Sequence, residues 1–313
     1  MNITGLDTLI FAVEDLAEAG QFLCDYGLIA VTPHRFEALD GTGIEIYHES
    51  DPALPPGPSP HARLRCTMMH VGNQATLDAI GQDLARDRPV RRLADGAIRS
   101  VDDCRFAIGF RVDRRRALDL AGEISNAPGS RISRAVNSLG VIPGDAPIRP
   151  LTLSHVVYFV PDYARAEAFY VERLGFRCTD RFEKVGPFLQ PAGTLDHHTH
   201  FFIQAPPAMT GPEHFTFHFA GPTAMMTNGY RFIEKGAQAF WGPGRHIMGS
   251  NWFWYFNSPF GCHIEMDADM DRHDARWQPR ALGMGADNSQ SFLLKYRPRW
   301  SPGPGTPVQG DYA

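Results

Sequence analysis

Two stretches of this chain repeat one pattern, and a tandem repeat constrains the fold more than any other feature, because each copy must then be one structural unit. LDTLIFAVEDLAEAGQFLCDYGL starts at residue 6 and LSHVVYFVPDYARAEAFYVERLGF at residue 153. Each opens on a short apolar, β-branched run and passes an acidic turn at Asp15 or Asp162. Each then becomes amphipathic, with Phe22 or Phe169 at the same offset. That is a strand, a turn and a helix, with Gly27 and Gly175 as helix stops. A second strand-to-helix passage follows in each half, LRCTMMHVGNQATLDAIGQDLARD and EHFTFHFAGPTAMMTNGYRFIEKGAQ. The expectation is two α+β modules in tandem.

Gly and Pro with few periodic apolar residues mark LGVIPGDAPIRP, residues 139–150, as a linker and put the boundary near 147. The organisation expected is a module over 1–147, a second over 148–280, and an arm or tail over 281–313. That end is rich in Pro and Gly, and its basic, aromatic stretch LLKYRPRW at 293–300 is a candidate to pack back on the body.

The 313 residues can bury a real core. With 30 Lys and Arg against 35 Asp and Glu there is no basic stripe for nucleic acid. No run approaches the roughly 20 apolar residues of a membrane span, and MNITGLDTLIFAVEDL does not read as a leader, so a cytoplasmic location is expected. Five cysteines, Cys24, Cys66, Cys104, Cys178 and Cys262, are never spaced C-x-x-C and read as reduced, small, mostly buried hydrophobes.

Nine of the 13 histidines fall between residues 155 and 273, a clustering that favours a metal site. In SHVVYFV, period-two alternation puts His155, Val157 and Phe159 on one face; alone, such a histidine is equally a satisfied core residue. EHFTFHF sets Phe215, Phe217 and Phe219 against His214, Thr216 and His218, one face to pack and one that is polar. NWFWYFNSPFGCHIEMDAD reads as a hairpin whose Ser-Pro-Phe-Gly turn, with Gly261 left-handed, closes a three-residue loop and sets Tyr255 opposite Glu265. Paired side chains on one sheet face are roughly 5 Å apart, so the phenol and carboxylate converge; a tyrosine capping a surface acid would look the same. HHTHFFIQ adds His197, His198 and His200, and His246 stands in the Gly-flanked loop GRHIMGSN. Two imidazoles and a carboxylate leave coordination positions open, which suits Fe(II) chemistry. Phe188, Phe201, Trp252 and Trp254 are either the wall of an apolar pocket or core.

These residues resemble the type I extradiol dioxygenases of the vicinal oxygen chelate superfamily, strongly in the second half and weakly in the first. The resemblance implies two vicinal-oxygen-chelate modules, each of paired βαβββ units in a curved, cup-like mixed sheet. It implies His155, His214 and Glu265 as metal ligands, with His246 and Tyr255 beside the substrate. His198 in HHTHFF fits the family's acid/base residue, and His200, read on the same strand face, competes with it. The first module, with Thr8 in place of His155 and Arg63, Leu64 and Arg65 opposite EHFTFHF, would be structural. Fe(II) is the implied cofactor, with Mn(II) as the alternative metal; a small aromatic diol and dioxygen are the implied substrates, in aromatic catabolism, and a homo-oligomer the implied assembly. The rivals are a 4-hydroxyphenylpyruvate-type 2-oxo-acid dioxygenase and a non-catalytic ligand-binding member of the superfamily.

Overall fold

The computed structural model of the chain describes residues 1–120, 122–124, 129, 131–144 and 146–295. The first module runs β1 (Ile3–Val13), α1 (Leu16–Tyr26), β2 (Ile29–Thr32), β3 (Arg35–Glu37) and β4 (Gly43–His48). It then repeats that order as β5 (Leu64–Val71), α2 (Gln74–Leu84), β6 (Arg91–Arg92), β7 (Ile98–Val101) and β8 (Ala107–Val112). The second module runs β9 (Thr152–Val160), α3 (Tyr163–Ala168), β10 (Arg177–Phe182), β11 (Gly186–Gln190) and β12 (His200–Gln204). Its second unit is β13 (Gly211–His218), α4 (Pro222–Glu234), β14 (Ala239–His246), β15 (Trp252–Asn257) and β16 (His263–Ala268). Each module is therefore βαβββ twice over, a mixed α+β build, as expected from the repeat.

The acidic turns of the two copies are helix N-caps. The Asp15 carboxylate accepts from the backbone N–H of Ala17 and Glu18, and Asp162 from that of Arg165, satisfying donors the first helical turn leaves free. Gly27, at φ 121°, ends α1 in a conformation that costs a side-chain-bearing residue heavily. After α3 the chain widens into a π-helical turn, Phe169–Arg173, and stops at Gly175.

The strands form two mixed sheets. Eight belong to the first module, and the second module's sheet has ten in the order β17-β10-β11-β12-β9-β13-β16-β15-β14-β18, where β17 is Arg280–Leu282 and β18 is Gln290–Leu293. The two C-terminal strands take opposite edges of that sheet, β17 beside β10 and β18 beside β14. Residues 283–289, with the short helix α5 (Ala286–Ser289), therefore span from one edge to the other. The part of LLKYRPRW from 296 on, and the tail to 313, lie outside the described residues.

One apolar core joins the modules. Phe11 of β1 packs on Phe215 of β13 with centroids 5.2 Å apart, and Tyr26 of α1 on Phe217 at 5.9 Å. Phe106 and Tyr158 meet edge to face at 4.9 Å, and the Tyr158 hydroxyl shares a 2.8 Å hydrogen bond with Thr67. Each such aromatic removes on the order of 2–3 kcal/mol of apolar surface from water, so the halves cohere as one body. All five cysteines are free thiols; Cys66 and Cys104 are buried and the other three half-buried. Among the described residues no helix is long and apolar enough to cross a membrane.

Strand register fixes which first-module positions correspond to the second module's polar face. His155 lies opposite Thr216, Thr216 opposite Glu265, and His214 opposite Val157. In the first module Thr8 lies opposite Met68, Met68 opposite Gly109, and Cys66 opposite Ile10. Cys66, not Arg63, Leu64 or Arg65, is thus the counterpart of His214, and Gly109 that of Glu265. The sequence alone mis-set this alignment because β1 and β5 carry register shifts that no local pattern encodes. Ile10, Cys66, Met68, Ala97 and Ala107 fill the first cup as an apolar cluster of their own.

Candidate metal centre

Three adjacent strands, β9, β13 and β16, carry the second module's polar row. His155 Nε2 lies 2.9 Å from Glu265 Oε2 and 3.4 Å from His214 Nε2, and His214 Nε2 lies 3.5 Å from Glu265 Oε2. Ligands about 2.1 Å from an ion and at right angles to one another stand about 3 Å apart, so this triangle fits three ligands on one face of an octahedron. All three side chains are buried. The second carboxylate oxygen, Glu265 Oε1, has no hydrogen-bond partner, a costly state for a buried anion and one a cation would relieve. Among the described residues this is the group of histidine and carboxylate side chains placed to hold a metal.

Neighbours aim these three side chains. Thr216 donates its hydroxyl to Glu265 Oε2 at 2.5 Å and stands 2.9 Å from His155 Nε2. Ser154 Oγ is 2.9 Å from His155 Nδ1 and 3.1 Å from His218 Nε2, and His218 is held by Asp267. Glu213 takes the Nδ1 side of His214 and also pairs with His263 Nδ1 at 3.0 Å. Both imidazoles are thereby held with Nε2 toward Glu265. Of these supports, Glu213 and Ser154 sit next to His214 and His155 in sequence and could have been suspected. Asp267 becomes visible only once β13 and β16 are paired.

Burial would raise the Glu265 carboxyl, yet His155 and the other imidazoles around it hold it well below the usual carboxylate range. Burial lowers His155. At His214 burial is outweighed by the Glu213 carboxylate, so its pKa rises. Burial and then the neighbouring imidazoles, His155 foremost, push His198 far below the ordinary value, and burial pushes Tyr255 well up. A cluster of mutually perturbed groups in a cleft is what functional sites show.

The hairpin register is the one read from the turn: Tyr255 pairs with Glu265 across β15 and β16, and Gly261 has φ 70°. Ser258 Oγ donates to the Cys262 carbonyl, so the ladder ends at Asn257 and His263. His246 is the last residue of β14 rather than a loop residue. Its Nε2 lies 3.2 Å from the Tyr255 hydroxyl and 3.6 Å from Glu265 Oε1, while its Nδ1 meets the Ser289 carbonyl at 2.8 Å.

His198 and His200 do not share a face. His198 precedes β12, its ring 4.4 Å from that of His155. His200 pairs with Val156 in the ladder and packs on the opposite side, 5.1 Å from Tyr170 and 5.2 Å from Phe176. Behind His198 runs a buried line of groups. Its Nδ1 is 2.9 Å from His197 Nδ1, His197 Nε2 is 2.9 Å from Asp180 Oδ2, and Arg280 donates to the same carboxylate. In the tautomer in which Asp180 accepts from His197 Nε2–H, His197 Nδ1 accepts from His198 Nδ1–H. His198 Nε2 is left as the basic nitrogen.

The cluster opens into a cavity of about 340 Å³ lined by His155, His198, His214, His246 and Tyr255 together with a wall of apolar side chains. Phe188 and Phe201 belong to that wall; Trp254 is core and Trp252 packs against the core instead. Phe182, Phe240, Trp241 and Met248 also face the cavity, positions that strand alternation alone did not single out.

Residues 152–266, in the second module, match the model of the Glyoxalase/Bleomycin resistance protein/Dioxygenase superfamily. Metapyrocatechase 2 of Cupriavidus necator is 33% identical over 124 residues, a match that takes in 40% of this chain and 38% of that protein's length. The Mn(II)-bound glyoxalase from Novosphingobium aromaticivorans has the same fold at a TM-score of 0.71 and 19% identity, over 92% of this chain and 90% of that one. The 2,3-dioxygenase LapB from Pseudomonas sp. KL28 does so at 0.70 and 17%, over 90% and 98%. Both likenesses extend across the two modules and show the architecture.

Proposed function

We propose that this protein is an Fe(II)-dependent extradiol dioxygenase that cleaves a catechol-type ring with dioxygen, beside rather than between its two hydroxylated carbons. The observation that carries the reading is the triangle of His155, His214 and Glu265 at the polar end of an apolar cavity, ringed by His198, His246 and Tyr255. The match to metapyrocatechase 2 supports it.

An Fe(II) ion held by the three ligands would supply a Lewis-acidic centre that acidifies a diol hydroxyl and brings diol and dioxygen together. The chain's own groups do the rest. His198 Nε2, kept free by His197 and Asp180, takes a proton from the substrate and returns it later. His246 and Tyr255, 3.2 Å apart, together reach one substrate oxygen and hold its charge. The phenylalanine wall seats the ring and keeps water from the reacting atoms.

The experiment is anaerobic loading with Fe(II), then addition of catechols and air. Expected are near-stoichiometric iron, uptake of one dioxygen per diol and a yellow ring-opened product. Turnover of a 2-oxo acid instead would favour the hydroxyphenylpyruvate-type alternative. Failure to retain iron or manganese would leave a ligand-binding relative.

A further inference from the structure

We infer, resting on the reading of the site as a diol-cleaving centre, that its substrate is a catechol bearing an uncharged, apolar substituent such as an aryl or alkyl group. The order of the sheet divides the cup. On one side β9, β13, β15 and β14 bring His155, His214, Tyr255 and His246 to the cavity, with Glu265 of β16 buried beside them. On the other side β10, β11 and β12 bring Phe182, Phe188 and Phe201.

Those three phenylalanines, with Val157 and Met248, form an apolar cluster separate from the main core. The Phe188 and Phe201 rings stack at 4.0 Å and 13°, a flat surface suited to a second ring or a chain. Apolar character continues outward to Phe240 and Met284, exposed at 57% and 61% though both face the cavity. With its diol at the polar row, a substrate directs whatever else it carries across this wall.

The charge pattern decides which substituents fit. Among the described residues that line the cavity there is no Lys or Arg, and the acid there is Glu213. A carboxylate on the substituent would lose its water against phenylalanine faces and gain no cation in return, a strongly unfavourable transfer. The neutral polar side chains there, Asn251 and Ser289, do not offset a full charge.

The test compares 3-phenylcatechol, catechol and 3,4-dihydroxyphenylacetate in two measurements on the full chain. One is kcat/KM of the Fe(II)-loaded enzyme. The other is anaerobic binding read by tryptophan fluorescence, since Trp241 lines the cavity. Expected is at least about a hundredfold preference in kcat/KM for the phenyl over the carboxylated diol, with catechol between them, and the same order in binding. Met284→Arg, at an exposed position on the rim, should narrow the gap between acid and phenyl diol by about tenfold or more. Carboxylated diol turned over and bound within about threefold of the phenyl diol would overturn the inference. If no diol is opened, the dioxygenase reading fails, and the binding order still decides the substituent.

Discussion

The hydroxyl of Tyr26, in the first module, donates a 2.7 Å hydrogen bond to the backbone carbonyl of Glu265, in the second. Tyr26 is wholly buried, and its ring rests on Phe217, Phe219 and Phe232. The first module thus helps fix the strand position of the second module's carboxylate, and Asn228 of α4 fixes Tyr26 in turn by donating to its carbonyl at 2.7 Å.

Tyr26→Phe removes that bond and leaves the packing. It should lower stability by about 1–3 kcal/mol, since a buried carbonyl loses a donor. It should also weaken iron binding, because the carboxylate is less well placed. Denaturant unfolding and a metal titration measure the two effects; unchanged metal affinity would mean the contact is structural only.

Thr216→Val is close to isosteric and deletes the hydroxyl between Glu265 and His155. Loss of a group that orients a ligand typically costs 10- to 100-fold in metal affinity. The variant should fold normally and bind Fe(II) that much more weakly in competition with a chelator. Glu265→Ala, by contrast, should retain no stoichiometric iron and no turnover.

Asp180→Asn keeps the size of the side chain that holds His197 but can present an amide N–H to it, which disturbs the tautomer at His198. A fall in kcat of at least about tenfold is expected, with iron content and KM for the diol little changed. His200→Asn should leave kcat nearer to wild type, since His200 lies on the other side of the sheet. A larger loss of kcat at His200 than at His198 would reverse the assignment.

Burial raises the Asp102 carboxyl to about 7, against opposing hydrogen bonds from the backbone N–H of Phe106 and Cys104. The native state then keeps a proton that the unfolded chain releases near pH 4, so this group's contribution to stability declines from about pH 4 to about pH 7 and stays low above. Asp102→Asn retains the acceptor without the charge. Its denaturant midpoint should exceed that of wild type at about pH 8, by up to about 4 kcal/mol in stability, and approach it near pH 4. A difference independent of pH would refute this account.

Features set by local chemistry were legible in the sequence. The duplicated strand-turn-helix, the acidic turns at Asp15 and Asp162, and the Tyr255–Glu265 register follow from spacing and turn type, which act within about a dozen residues. What escaped depends on contacts distant in sequence. Period two puts His200 on the face of His198 only if it holds before the start of β12, where the chain is not yet a strand. Asp180 and Arg280, 100 residues apart, meet only because β17 adds to the edge beside β10. The first module's alignment went astray at a register shift, the one place where counting residues along a strand fails.

The filled cup of the first module gives the duplication a division of labour. A cleft that stays open for a ligand forgoes contacts, and a fold keeps one only where cohesion elsewhere compensates. Ile10, Cys66 and Met68 close one copy so tightly that a Cβ at Gly109 would lie 2.2 Å from Met68 Sδ. Placing an acid there would therefore mean rebuilding the plug around it. The first copy has become the ballast that lets its twin remain hollow.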